Sequence, residues 1–480
     1  MRVAFGAQDP TFQTGVQLVQ VNVVAQDKHG APVADLRREE FRLFDNGSPQ
    51  WIRLFVPETE KPTPAAPERK APNTFTNQIA APAGSHSGYS VILIDELFSG
   101  SDPTNEEGSS LSRVRALQML RSIPIGEKIA IYAARGQLQV ICEFTSDRDL
   151  LDRQLRKWKP SATTPAPEQR PSLQAQLNPQ LAQLRNDAAA EAARINDLRN
   201  AAAGDFEMEL VADHLAGIPG RKNLIWLANK FLIGPKAIQK LNRAGVSIYP
   251  VDIDGVCRLC PDRPRDTMNS IAALTGGVAY YGRNDLDVAI REAMDDGRVS
   301  YTLGFYPSGE DHASVHRLTM SVSRPGVMLR YRTSYEVEPP QPTPADPVAG
   351  LVQALNRPID ATAIAIHASA TRAQDRLSLD ATLDVESLDL ILNQGGQQNL
   401  WTGSLEVVAR FTAAEGIVAG DVFSKTVTLN LSQASYDAAM RGGLPFHNEF
   451  QIPPKAVELK LLFGNLATGK IGTLTIPVPK

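Results

Sequence analysis

Cysteine is scarce in this chain: three in 480 residues, too few for a scaffold built on disulfides. Aromatic residues make up only 6%. No apolar run approaches the roughly 18 residues that a spanning helix needs, so no membrane span is expected. A basic excess is missing too. The 49 Lys and Arg stand against 53 Asp and Glu, a net charge of −4. That excludes a general nucleic-acid binder, whose affinity needs a basic surface to displace counterions. None of the seven histidines has H-E-x-x-H or other ligand spacing. No P-loop, G-x-S-x-G elbow or G-x-G-x-x-G after a strand is present, so no nucleophile or phosphate cradle is named. What is plentiful is chain, with 34 Gly and 34 Pro to turn it. This length fits two or three domains, each with its own core.

The first eight residues carry one positive charge and no apolar core of the kind a signal peptide needs. Ala7-Gln8-Asp9-Pro10 reads like the polar stretch after a cleavage site. As written, nothing directs export; the expected setting is secreted or periplasmic, with a signal peptide absent or missing from this sequence.

Residues 16–24 alternate apolar and polar at period two, the mark of a half-buried strand. Residues 41–44 and 51–56 flank Asp45-Asn46-Gly47, a strong hairpin signal because Asn-Gly accepts positive φ. Residues 59–88 read as a Pro-rich linker. Then the texture changes. Strands at 89–94, 128–132, 138–141, 223–227 and 246–251 alternate with helices at 111–123, 150–158, 236–243, 267–274 and 286–294. Such alternation implies crossovers and a mainly parallel sheet. Asp147 is placed to cap the helix at 150. Residues 159–204 interrupt the rhythm as an Ala-, Gln- and Arg-rich helical insertion, read as a solvated helix in preference to a partner-binding one. Strand texture returns at 301–306, 316–322 and 327–331, and a second Pro-rich linker spans 337–350. Beyond it, 351–480 holds repeated strand runs with one helix at 433–440, the spacing of an antiparallel sandwich.

These residues resemble the bacterial VWFA-related family, exported proteins built on a von Willebrand factor A-like domain. The likeness rests on Phe144-Thr-Ser-Asp147, Ile218-Pro-Gly-Arg-Lys222, Asn242 through Asp252, Ala273-Leu-Thr-Gly-Gly277 and the run from Tyr301 to Pro307. It covers roughly residues 10–335. The resemblance implies a doubly wound, Rossmann-like domain at 89–300. The strand groups 10–58 and 301–336 lack cores of their own and are expected to pair into a small β-sandwich into which that domain is inserted. A C-terminal β-sandwich at 351–480 follows. The fold class expected is α/β plus all-β.

The resemblance also implies a metal-ion-dependent adhesion site in the loops above the sheet: an Asp-x-Ser-x-Ser loop, a Thr and a second Asp around Mg²⁺. A hard cation wants such oxygen ligands and leaves a position for a partner's carboxylate. This chain keeps Asp95 and Ser99 of that loop but has Leu97 for the middle serine. Asn229, beside Lys230, stands where the second Asp belongs, and Thr163 or Thr164 are the only substitutes for the Thr. With one anion and one hydroxyl lost, Asp95, Ser99 and Asn229 make a degenerate site. No cofactor is expected, and weak Mg²⁺ or Ca²⁺ binding is the most this ligand set allows. Asp95 and Glu96, adjacent at a strand end, point to opposite faces and share no proton.

Cys257 and Cys260 form a C-x-x-C pair in a loop full of Asp and Arg. It reads as a local disulfide, ahead of a redox pair or half a zinc site. Cys142 reads as a buried strand residue. The expected function is a non-enzymatic adhesion or protein-binding role, with a protein partner or extracellular ligand. A scaffold subunit of a cell-envelope complex and an enzyme with an unrecognised site are the alternatives.

Overall fold

A computed structural model describes residues 18–59, 73–79, 88–96, 111–123, 127–159, 179–256, 265–307, 314–337, 351–352, 354–393 and 399–479. The first strand, β1 (Val19–Gln26), alternates its apolar residues as the sequence pattern requires. A short hairpin follows, β2 (Phe41–Asp45) and β3 (Ser48–Gln50). Asn46 and Gly47 between them both have positive φ, 47° and 84°, the backbone of a type I′ turn. The sequence pattern pairs 41–44 with 51–56 across this turn. Instead β4 (Leu54–Thr59) leaves for the opposite sheet. Three residues past the turn are enough to register β3 on β2, and the chain then crosses the sandwich.

Two four-stranded sheets face each other. One has the order β13-β1-β11-β4 and the other β14-β12-β2-β3, where β11 is Val299–Phe305, β12 Val315–Val322, β13 Met328–Arg330 and β14 Ser334–Glu336. β11 lies antiparallel between β1 (Val21 opposite Leu303) and β4 (Thr302 opposite Val56). The sandwich is therefore assembled from segments about 240 residues apart in sequence. Its core joins Val21, Val23, Leu43, Tyr301, Phe305 and Leu318.

Between the two halves sits the α/β domain. Its sheet runs β10-β9-β6-β7-β8, with β6 Tyr89–Asp95, β7 Lys128–Ala134, β8 Leu138–Thr145, β9 Lys222–Ala228 and β10 Val246–Asp252. β6, β9 and β10 are buried throughout, as strands covered on both faces must be. All neighbours are parallel except β8, which turns back antiparallel on β7. A parallel bridge from Val251 to Tyr280 adds the trace of a sixth strand. In chain order this is 3-2-1-4-5-6, the doubly wound arrangement, with its switch point between β6 and β9. The helices are α1 (Leu111–Leu120), α2 (Arg148–Lys157), α3 (Pro179–Leu215), α4 (Pro235–Arg243), α5 (Arg265–Thr275) and α6 (Leu286–Arg298). Asp147 caps α2, accepting from the Leu150 N–H at 3.0 Å. The helical part of the stretch read as an insertion does not end at 204. It continues as α3 into the domain's own helix, because Met208, Val211 and Leu215 recur at helical spacing and pack on the sheet.

The C-terminal residues form two more sheets, β20-β16-β15-β5 and β17-β18-β21-β22 with β19 also on β18. Here β5 is Thr74–Thr76, β15 Ile366–Ala373, β16 Arg376–Leu383, β17 Ile391–Asn393 and β18 Leu400–Thr412. β19 is Val418–Ser432, α7 Gln433–Gly442, β20 Leu444–Gln451, β21 Glu458–Asn465 and β22 Ile471–Pro477. Leu377, Leu379, Val407, Leu461 and Ile476 meet in one core between the sheets. The stretch 59–88, read as a linker, thus contributes a strand. β5 pairs with β15, some 290 residues away.

One buried group ties the split sandwich to the α/β domain. Asp296, at the end of α6, accepts from Tyr249 Oη on β10 at 2.6 Å and from Gln26 Nε2 on β1 at 3.2 Å. It also pairs with Arg330 on β13. Arg221 reaches Tyr249 Oη at 2.8 Å and the Gly276 carbonyl at 2.7 Å. Removing Asp296 leaves the half-buried Arg330 guanidinium without its carboxylate and the buried Tyr249 hydroxyl without its acceptor. Asp296→Ala is expected to lower stability by about 3–5 kcal/mol in urea unfolding; a loss under about 1 kcal/mol would contradict this role.

Candidate functional site

Ligand sites of doubly wound sheets lie at the carboxyl ends of the strands beside the switch point. The end of β6 is there, and it carries Asp95. Ile94 is level with Leu227 and Asp252 is level with Ala228. Asp95, Ala228 and Asp252 therefore form a row across three strand ends, with an alanine in the middle. Asn229 is the next residue along and half-buried. Ser99, Cys257 and Cys260 lie outside the described residues, as do Thr163 and Thr164.

Asp95 is buried, and its Oδ2 accepts the indole N–H of Trp226 at 2.8 Å. Trp226 is held in turn by an edge-on contact with Phe231 at 5.0 Å. Asp252 Oδ1 accepts from the Asp254 N–H at 3.1 Å. Glu96 is also buried, and Arg135 stands 3.7 Å from its Oε2.

A fourth acid comes from α3. Glu207 is 1% exposed, with Oε1 accepting from the Arg135 N–H at 2.8 Å. Among the described residues, Glu207 Oε2 and Glu96 Oε1 have no hydrogen-bond partner. Burial pushes the Glu207 carboxyl up to about 8, the Arg135 N–H pulls it down, and neighbouring Asp95 pushes it up again. The sequence reading missed Glu207. Its signal was present: it occupies a core position of the stripe that continues through Met208, Val211 and Leu215, where a charge stands out.

Among the described residues, no group of three or more His, Cys, Asp or Glu side chains stands where one ion could be held. Of the candidate ligands that are described, Asp95 has an oxygen turned to an N–H donor and Asn229 brings no charge. Asp95 is therefore the one anionic donor that the described part of this candidate set supplies. Cys142 is a buried free thiol on β8, raised by burial. His214 is buried, its Nδ1 2.6 Å from the Asp360 carbonyl.

The fold and this site define a doubly wound α/β domain with an antiparallel edge strand. No family model matches the chain, and no curated protein matches it. Solved structures resemble parts of it at a distance. An aerotolerance-related membrane protein from Bacteroides fragilis is 13% identical, with a TM-score of 0.28, over 44% of this chain and 98% of its own. A von Willebrand factor type A protein from Catenulispora acidiphila is 10% identical, with a TM-score of 0.28, over 60% and 74%. The manganese-loaded TRAP protein of Plasmodium vivax is 10% identical, with a TM-score of 0.24, over 55% and 97%. The fold class rests on the strand order itself.

The buried glutamate has a signature. An unfolded glutamate titrates near 4.5, so between there and about 8 the folded chain keeps a proton that the unfolded chain has released. Stability therefore falls as pH rises through that window, by up to about 1.4 kcal/mol per pH unit. Urea unfolding of wild type and Glu207→Gln across the window should show the variant gaining on wild type as pH rises. A difference independent of pH would contradict the assignment.

Proposed function

We propose that this chain is a non-enzymatic, adhesion-type protein-binding protein of the exported VWFA-related kind, and that a face of α3 is its contact with a protein partner. The observation that carries the reading is an apolar stripe left in water. Ile195, Leu198 and Phe206 are 52%, 64% and 51% exposed. At about 100° per residue they fall within an arc of about 80°, with exposed Ala202 between them. Large apolar side chains grouped on one face of an exposed helix mark interaction surfaces. An amphipathic helix of the partner, laid along the stripe, is the occupant that fits such a ridge.

The strand-end acids favour the same class. Their oxygens face Trp226, Arg135 and one another inside the fold, and a degenerate ion loop that caps the sheet is the reading they support best. Titration calorimetry with Mg²⁺ or Mn²⁺ is expected to give no millimolar-or-better binding that is lost in Asp95→Ala; such binding would restore a working ion site. The secreted or periplasmic setting and a Cys257–Cys260 disulfide belong to this proposal, and mass measurement with and without reductant checks the bond.

The partner surface has its own test. Native extract passed over the full chain and over Ile195→Asp/Leu198→Asp should yield a partner retained by the first and reduced at least about tenfold by the second. The two chains should melt together, since both side chains are exposed. An identical capture profile would remove α3 as the contact.

A further inference from the structure

The seam between the split sandwich and the α/β domain holds a small cavity. Gln20 and Asn22 on β1, Arg332 just after β13, Asn242 on α4, Ser247 on β10 and Thr275 on α5 line it. Ser247 is at the amino end of β10, so the cavity lies at the other end of the strand from Asp252. Its volume, about 10 Å³, has room for one water-sized guest. None of the lining residues is acidic. Among the described residues, Arg332 makes one hydrogen bond, from Nη2 to the Gln20 carbonyl at 2.8 Å, and no ion pair. Its Nε is shut off from water with no acceptor, and the Tyr335 ring stands 5.9 Å from the guanidinium carbon. Burial brings the Arg332 guanidinium down to about 10; Tyr335 opposes that shift and neighbouring Arg243 adds to it. Ser247 is 2% exposed, and its hydroxyl makes no hydrogen bond among the described residues. Asn22 and Asn242 each use one amide hydrogen, on the carbonyls of Gly245 at 3.3 Å and Leu274 at 3.1 Å, and keep a second.

We propose that this cavity binds one small inorganic anion, of halide size, which fastens the sandwich to the α/β domain. The site is separate from the α3 face and does not rest on it. A cation withdrawn from water needs an opposite charge or a full set of acceptors. Arg332 has neither within the fold. The helix ends beside it do not supply them, although α5 finishes at the cavity and a helix C-terminus carries partial negative charge. The last carbonyls of α5 are already taken: Ile271 by the Thr275 hydroxyl, Ala272 by the Gly277 N–H, Ala273 by the Thr333 N–H and Leu274 by Asn242. The group that completes the site therefore comes from solvent. It is an acceptor, because what the walls leave over are donors: the Arg332 Nε–H, the Ser247 hydroxyl and the second amide hydrogens of Asn22 and Asn242. It is small, because the cavity admits a single water-sized guest. A water accepts hydrogen bonds but leaves the charge standing, whereas a halide answers both. Held there, the anion touches residues of β1, β10 and α4 together, and so ties the two bodies that Asp296 ties elsewhere.

Urea unfolding of the full chain tests this at constant ionic strength, with sodium chloride replacing sodium gluconate. An anion that binds only the folded chain lowers the unfolding constant by one plus its concentration over its dissociation constant. The expected drop on going from none to about 0.3 M chloride is at least about threefold, and bromide should act alike. Arg332→Gln keeps the length of the side chain and removes its charge. It should unfold equally in chloride and gluconate. If that variant fails to fold, Ser247→Ala takes its place and should cut the chloride effect at least about twofold. Anomalous scattering from wild-type crystals grown in bromide should put a peak within hydrogen-bond reach of Arg332 Nε. Equal unfolding of wild type in chloride and gluconate overturns the proposal. So does a chloride effect undiminished in the variant, which marks a bulk salt effect, or a cavity that holds water and no bromide.

Discussion

A carboxyl group buried at the end of a helix sets the terms for the first two-thirds of this molecule. Asp296 is out of water at the point where α6 hands the chain to β11, and its partners come from both bodies: Tyr249 from the α/β domain, Gln26 and Arg330 from the sandwich. A buried charge needs every one of its partners in place. Neither body can therefore close around it alone. The strand ladder says the same thing in backbone bonds, since β11 belongs by sequence to the chain leaving the α/β domain yet lies between β1 and β4. Glu58 adds a second tie. It accepts from the Arg221 N–H, Ser300 and Thr302, and lies close enough to Lys222 to oppose the burial that brings that ammonium down to about 7.

The C-terminal sandwich is anchored at the opposite side, on the end of α3. Thr362 Oγ1 accepts the Gly217 N–H and donates to the His214 carbonyl, both at 2.7 Å. A Cβ at Gly217 would stand 2.2 Å from the Thr362 carbonyl, so only glycine permits the approach. Asp213 pairs with Arg357 from the C-terminal region and with Lys240 on α4. The short run 360–366 thus meets α3 on one side and Asn77 on the other, and it joins three segments distant in sequence. A helix whose middle bears an exposed apolar stripe is fixed at its C-terminal end to both large bodies.

Much of this was legible residue by residue. The apolar run Tyr89 to Ile94 reads as a strand buried on two faces, Asp147 as a cap, and Asn46-Gly47 as a hairpin turn, because each depends on chemistry within a few residues. What stayed hidden depends on distant pairing. β5 is three residues inside a proline-rich stretch, and nothing local marks Asn77 as a residue that binds carbonyls near 361–364. The extent of β19 escaped because its residues are largely exposed and lack the alternation that signals a buried face; β20 does alternate, with Leu444, Phe446 and Phe450 turned inward, but only its pairing with distant β16 makes it a strand. At the candidate site, Asp95 and Asn229 were named from the resemblance. Glu207 was not, although it stands at a core position of the stripe through Met208, Val211 and Leu215.

The central claim is that the split sandwich and the α/β domain form one cooperative unit closed by the Asp296 junction. Native-state hydrogen exchange read by mass spectrometry tests it most directly. The account predicts that amides of β1, β4 and β11 open with the same free energy as those of β9 and β10, and that both groups shift together when the junction is weakened. Rapid exchange of β1 and β4 while β9 and β10 stay protected would contradict it.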